Sequence, residues 1–151
     1  MEYHELLRRQ LDESLAVAVA DEAERILALA RLSGALDDLV HVLDHPALTT
    51  ARTSTEAGYT ITLRLLHRVI MRWCFARDRV DVYLRGDEEQ FAQVRMRYVA
   101  HAREWRLSVP GVQAELGSFD DEEAKVREMI EDACSAWTPW VNPCSLTGET
   151  P

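Results

Sequence analysis

His41 and His45 stand four residues apart, beside Asp37, Asp38 and Asp44. Two imidazoles one helical turn apart can grip a divalent metal if a third ligand arrives from another element, and His67 or His101 could supply it. The spacer Val42-Leu43-Asp44 lacks the general-base glutamate of an H-E-x-x-H motif, and His45 precedes Pro46, where a helix must end. These histidines are therefore expected to close a helix at the negative pole of its dipole, with no metal or other cofactor bound.

The carboxylates also read as structural. Asp37-Asp38 and Asp120-Asp121-Glu122-Glu123 fall at expected helix beginnings, where acids cap free amides. The chain has no G-x-S-x-G, no phosphate-cradling glycine loop and no Cys–His pair at a recognisable spacing, so nucleophilic and phosphoryl chemistry lack a motif. Cys74, Cys134 and Cys144 form no C-x-x-C and are odd in number, which points to reduced thiols. The expectation is a protein that is not an enzyme.

Arg95, Arg97, Arg103 and Arg106, with His101, cluster in the most basic part of an otherwise acidic chain. The net charge of −9 is unevenly placed: residues 1–45 hold ten acids and four arginines, whereas 59–108 hold ten arginines and six acids. A dominant cationic surface, which phosphate contacts require, is missing. Acidic protein surfaces, either the chain's own last helix or another subunit's, are the expected partners of these arginines.

The elements that must position them read as follows. Tyr3, Leu7, Leu11, Leu15, Ala18, Ala23, Ile26 and Ala30 recur at mostly three- and four-residue steps, predicting a long amphipathic helix. Ser33-Gly34 predicts a break or kink, followed by a short helix that Pro46 stops. Residues 46–58, rich in Thr, Ala and Ser, read as a linker. Tyr59 to Arg77 is the most apolar stretch and reads as a central buried helix, with Leu66, Val69 and Trp73 beside Leu63 and Ile70. Alternation at Tyr59, Ile61, Leu63, Leu65 and at Val80, Val82, Leu84 allows a short hairpin near 59–65 and 80–84 instead.

Asp87 and Gln90 form a capping-box pattern ahead of Phe91, Val94, Tyr98, Ala102 and Trp105, predicting a helix ended by Pro110-Gly111. Asp120 and Glu123 open a last helix with Val126, Ile130, Ala133 and Trp137 as its stripe and Pro139 as its stop. The expected fold is all-α: a bundle of about four main helices over residues 1–137, with an extended arm over 138–151. The interface residues would be Arg95, Arg103 and Arg106 on the bundle and Trp140, Val141 and Leu146 on the arm.

The order of Trp73-Cys74-Phe75-Ala76-Arg77, then Val94 to Trp105 with Arg97-Tyr98, Ala102 and Trp105, then Pro110-Gly111, resembles the small helical neck proteins of tailed phages, the head–tail adaptors. The resemblance implies a helical ring under a portal, lining a DNA channel without sequence-specific contact, with an arm reaching a neighbour. A structural subunit of a homo-oligomer is thus the leading functional expectation. Rivals are an acidic inhibitor that mimics nucleic acid through residues 120–132 and a metal-dependent bundle enzyme using His41 and His45. No apolar run is long enough to span a bilayer, and the polar start Met1-Glu2-Tyr3-His4-Glu5 is unlike a secretory signal, so a cytoplasmic or virion location is expected.

Overall fold

Beta-branched and aromatic residues fill the middle of this chain, and in the computed structural model they form a sheet rather than a bundle. The structure describes residues 2–85 and 91–141, the side chains of 91 and 136–141 excepted. A 41-residue helix α1 (Tyr3–Leu43) leads into seven strands: β1 (Leu48–Ser54), β2 (Gly58–Leu65), β3 (Arg68–Ala76), β4 (Val80–Arg85), β5 (Phe91–Val99), β6 (Glu104–Ser108) and β7 (Glu115–Phe119). Helix α2 (Glu122–Val141) follows. All strand pairs are antiparallel and the sheet order is the sequence order, β1 to β7.

The all-α expectation is therefore overturned. Tyr59 to Arg77, read as a central helix, is most of β2, a turn at Leu66-His67 and all of β3. The 46–58 linker is β1 with its turn, because threonines suit a pleated edge. The helix expected over 87–109 is β5, a turn and β6 across its described part, residues 91–109. Both segments suspected of pairing as a hairpin are strands, but they flank β3 instead of pairing with each other.

Alternation decides the faces of the sheet. Ile61, Trp73 and Val82 lie side by side in register, as do Tyr59, Phe75, Val80, Met96 and Leu107. These side chains face one layer, where Ala28, Leu32, Ala35 and Leu36 of α1 and Val126, Met129, Ile130 and Ala133 of α2 meet them in a single core. Trp73 and Trp105 are fully buried there, Trp105 stacking on Phe119 with ring centroids 6.0 Å apart. Fully burying each such side chain contributes about 1.5–3 kcal/mol, enough to override any local helix preference.

Two further expectations change. Ser33-Gly34 does not break α1, which continues because Leu32, Ala35 and Leu36 on both sides of the pair are held in the core. Pro139 does not stop α2, which runs to Val141. The predicted cap survives one residue along: Asp121 Oδ1 accepts the Ala124 N–H at 3.1 Å, satisfying a first-turn amide.

Candidate interaction surfaces

One face of the sheet is covered by helices, so the residues at alternate positions make an opposite face that neither described helix covers, called the open face below although Thr62 and Asp81 are buried on it. Its rows follow from the register. Thr60, Cys74, Asp81, Arg95 and Ser108 form one, Thr62, Arg72, Tyr83 and Gln93 a second, and Arg97, Arg106 and Ser118 a third. Arg64 and Arg85 complete the set, Arg85 Nη1 donating to the Val69 carbonyl at 3.4 Å. Six arginines thus share this face with the carboxylates Asp81, Glu104 and Glu115 among the described strand residues.

Asp81 organises the centre of that face. Arg95 Nε donates to its Oδ1 at 2.8 Å and Arg79 Nε to its Oδ2 at 3.2 Å. Burial alone would raise the Asp81 carboxyl, but the hydrogen bonds from Arg95 and Arg79 outweigh it and hold the group below its ordinary range. The hydrogen bond to Asp81 raises Arg95 in turn. Arg97 and Arg106 have a different situation. They are direct cross-strand partners, so two positive charges oppose each other on an open face, an arrangement that is destabilising by itself.

The opposite side of the molecule is acidic. Residues 2–45, which contain α1, hold ten acids against four arginines, and residues 120–141, which contain α2, hold seven acids against two bases. Glu122 is the acid with a structural task. Its Oε2 accepts Trp105 Nε1 at 3.0 Å, and Arg31 Nε donates to its Oε1 at 3.2 Å, so one carboxylate links α1, β6 and α2. That hydrogen bond is also what raises Arg31.

The third surface is the leading half of α1. Every residue from Glu2 to Ala20 is exposed, including Tyr3 at 79%, Leu11 at 62% and Leu15 at 63%. At 1.5 Å per residue this is an arm about 27 Å long. Its stretch Leu15-Ala16-Val17-Ala18-Val19-Ala20 is apolar around the whole circumference, a property of helices that are normally covered.

The structure sorts the residues singled out by sequence. Arg95 and Arg106 share the open sheet face, whereas Arg103 sits in the turn after β5 at φ 52, beside Glu24, Leu27, Arg31 and Tyr98. The side chains of Trp140 and Val141, and all of Leu146, lie outside the described residues, although the backbone of 140 and 141 belongs to α2. His41 is in the last turn of α1, but His45 lies beyond the helix end, where its Nδ1 accepts the Ala47 N–H at 3.0 Å. Among the described residues no cluster of three or more His, Cys, Asp or Glu could hold a metal ion, and no helix is long and apolar enough to cross a membrane.

Sequence reasoning missed Arg64, Arg72 and Arg85 as members of the basic face, because read as helices they fall on different sides. Period-two spacing, 95-97 in β5 and 83-85 in β4, was the available signal. No protein-family model, curated protein or solved structure matches this chain.

Proposed function

We propose that this protein is a structural, non-enzymatic subunit that assembles with copies of itself, the basic sheet face of one copy seating on the acidic helical layer of the next. The observation that carries the reading is Arg97 opposed to Arg106 on a sheet face that neither described helix covers. Such a pair becomes favourable when carboxylates are brought against it, and the far side of the same molecule offers them at Asp37, Asp38, Glu128 and Glu131. Contact between two different faces is head-to-tail, so it closes into a ring or continues as a filament. Rings are what the phage-neck resemblance implies, and that resemblance now stands on residue order alone, since 94–105 is strand, turn and strand.

The test uses two variants and their mixture. Arg97→Glu/Arg106→Glu and Glu128→Arg/Glu131→Arg are each expected to sediment as smaller species than the wild type at low salt. Mixed, they offer each other one intact contact and one with its charges exchanged, so larger assemblies in which the two variants alternate should return. Assembly of the wild type should also weaken as salt rises. A wild-type chain that sediments at 17.2 kDa at all concentrations, or one that binds duplex DNA through the arginine face without self-association, would overturn the reading.

A further inference from the structure

The sheet has two edges, and only one of them is blunted. β7, at one end of the strand order, is five residues long and carries Glu115. It is also bulged, because Leu116 has no partner between the Ser108–Glu115 and Leu107–Gly117 pairs, and Gly117 stands at φ 146. A short strand, a charge and a bulge are the usual devices that keep an edge from pairing with another chain. β1, at the other end, lacks them. Its seven residues pair with β2 without a register shift and include neither Pro nor Gly. Its one charged side chain, Arg52, is drawn back over the Tyr59 ring of β2, 3.9 Å from the centroid.

The hairpin turn determines which backbone groups of β1 are unused. Thr55 and Gly58 exchange both N–H···O bonds, at 2.9 and 3.3 Å. In an antiparallel ladder such pairs alternate with non-bonded ones, so Thr53, Ala51 and Thr49 aim their backbone groups at Thr60, Thr62 and Arg64 of β2. The N–H and C=O of Thr50, Arg52 and Ser54 therefore point off the edge. Every side chain from Thr49 to Ser54 is exposed, including Thr50, Arg52 and Ser54, which lie on the helical side opposite Leu63, Ile61 and Tyr59. The helical layer thus stops short of β1. The leading end of α1 is elsewhere: Glu22 accepts from Arg77 Nε at 3.5 Å, and Glu24 and Leu27 lie with Tyr98 and Arg103.

A strand seated on this edge must itself have an unused edge, and β1 of a second copy supplies one. Two antiparallel copies can bond only in registers that set outward-pointing residues opposite each other. With the two-fold axis at Ala51 all residues of both strands are paired: Thr50 opposite Arg52, Thr49 opposite Thr53 and Leu48 opposite Ser54. Thr opposite Thr is a favourable cross-strand pair. Moving the axis to Arg52 sets two guanidinium groups against each other, and moving it to Thr50 sets Pro46, which has no N–H, opposite Ser54. The residues of β1 therefore select both the occupant and the register.

We infer that two copies of this chain join edge to edge through β1, antiparallel about Ala51, forming one continuous sheet with both helical layers on the same side. The contact is isologous and lies in the plane of the sheet. It leaves the basic face and the acidic layer free, and does not depend on the head-to-tail contact proposed above.

The full-length Arg97→Glu/Arg106→Glu chain is the background for the test, because loss of the face contact cannot there imitate loss of the edge contact. Amide exchange should be slow at Thr49, Ala51 and Thr53 at any concentration, whereas Thr50, Arg52 and Ser54 should exchange fast when dilute and roughly tenfold slower or more when concentrated. Fast exchange of these three at all concentrations overturns the inference, and so does slow exchange at all concentrations, which would mean that the chain covers its own edge. Ala51→Lys and Ala51→Glu should each weaken the dimer about fivefold by setting like charges on the axis, and mixing the two should restore it; if one sign is tolerated, the occupant is not a second copy. With Cys74, Cys134 and Cys144 replaced by Ala, Ala51→Cys should cross-link to itself under mild oxidation, since residues facing each other at a non-bonded position lie about 4.5 Å apart. Thr49→Cys and Thr53→Cys should cross-link only when mixed; self-cross-linking of either overturns the register. Low-salt stacking of a chain carrying Ala51→Lys alone reports on the head-to-tail reading separately.

Discussion

The two halves of α1 are continuous in backbone and similar in composition, yet one is buried and the other is bare. Ala28, Leu32, Ala35 and Leu36 lie at 0–8% exposure against the sheet, while Leu11, Leu15, Val17 and Val19 stand at 60–63%. The difference does not come from the side chains, since leucines occupy both. It comes from where the seven strands end: the sheet reaches only the second half, and the first half extends past it. An apolar residue in a helix therefore does not by itself say whether its own chain buries it.

The strongest way to probe this contrast is to truncate one leucine in each half. Leu36→Ala empties a fully buried site and should lower unfolding free energy by about 3 kcal/mol, read by chemical denaturation. Leu11→Ala, by the same measurement at dilutions where the chain is monomeric, should change stability by no more than about 0.5 kcal/mol. If both cost the same, the arm is packed on its own body and the contrast fails.

Glu122→Ala tests what fastens the buried half. It leaves Trp105 Nε1, at a fully buried residue, without its acceptor and frees Arg31. Arg31 is half exposed, with 50% of its side chain accessible, so the ion pair adds little and the buried N–H sets the loss at about 2 kcal/mol. Glu122→Gln retains an acceptor for Trp105 and should recover more than half of that loss.

Acid should distinguish the open sheet face from the helical layer. Asp81 has its folded value below the ordinary 3.8. Its contribution to stability is thus fully present above that value and is lost as pH falls through the lower folded one. Asp81→Asn should flatten the acid limb of the stability profile measured between pH 5 and 2, whereas a limb unchanged by the substitution would show that other carboxylates govern it. A small gain is expected at Gly34, in the interior of α1, where an added Cβ meets nothing within 4 Å. Gly34→Ala should raise stability by about 0.5–1 kcal/mol, detectable as a small rise in denaturation midpoint.

The helices were legible in the sequence and the sheet was not, for reasons that particular residues explain. The three- and four-residue steps from Tyr3 onward and the acid-rich start of α2 have counterparts in the structure. Strands were hidden where a turn lacks the usual punctuation. The β2–β3 turn places Leu66 at φ 58 and the β5–β6 turn places Arg103 at φ 52, positions where Gly or Asn would ordinarily announce a hairpin. Without such marks, Tyr59 to Arg77 and Val94 to Trp105 read as stretches with no internal stop, and their apolar residues can be fitted to a period of two or of 3.6. The basic face was half legible: Arg95, Arg97 and Arg106 were singled out together, but only the register brings Arg64, Arg72 and Arg85 to the same side.

A meander in which every strand bonds only to those before and after it has a consequence for how the chain is made. As the polypeptide leaves the ribosome, each new strand finds its docking edge already in place, so the sheet can grow one hairpin at a time with short loop closures throughout. The helix synthesised first must wait longest for its shelter. Nascent chains halted before β3 should therefore be the form most prone to associate prematurely through their leading ends.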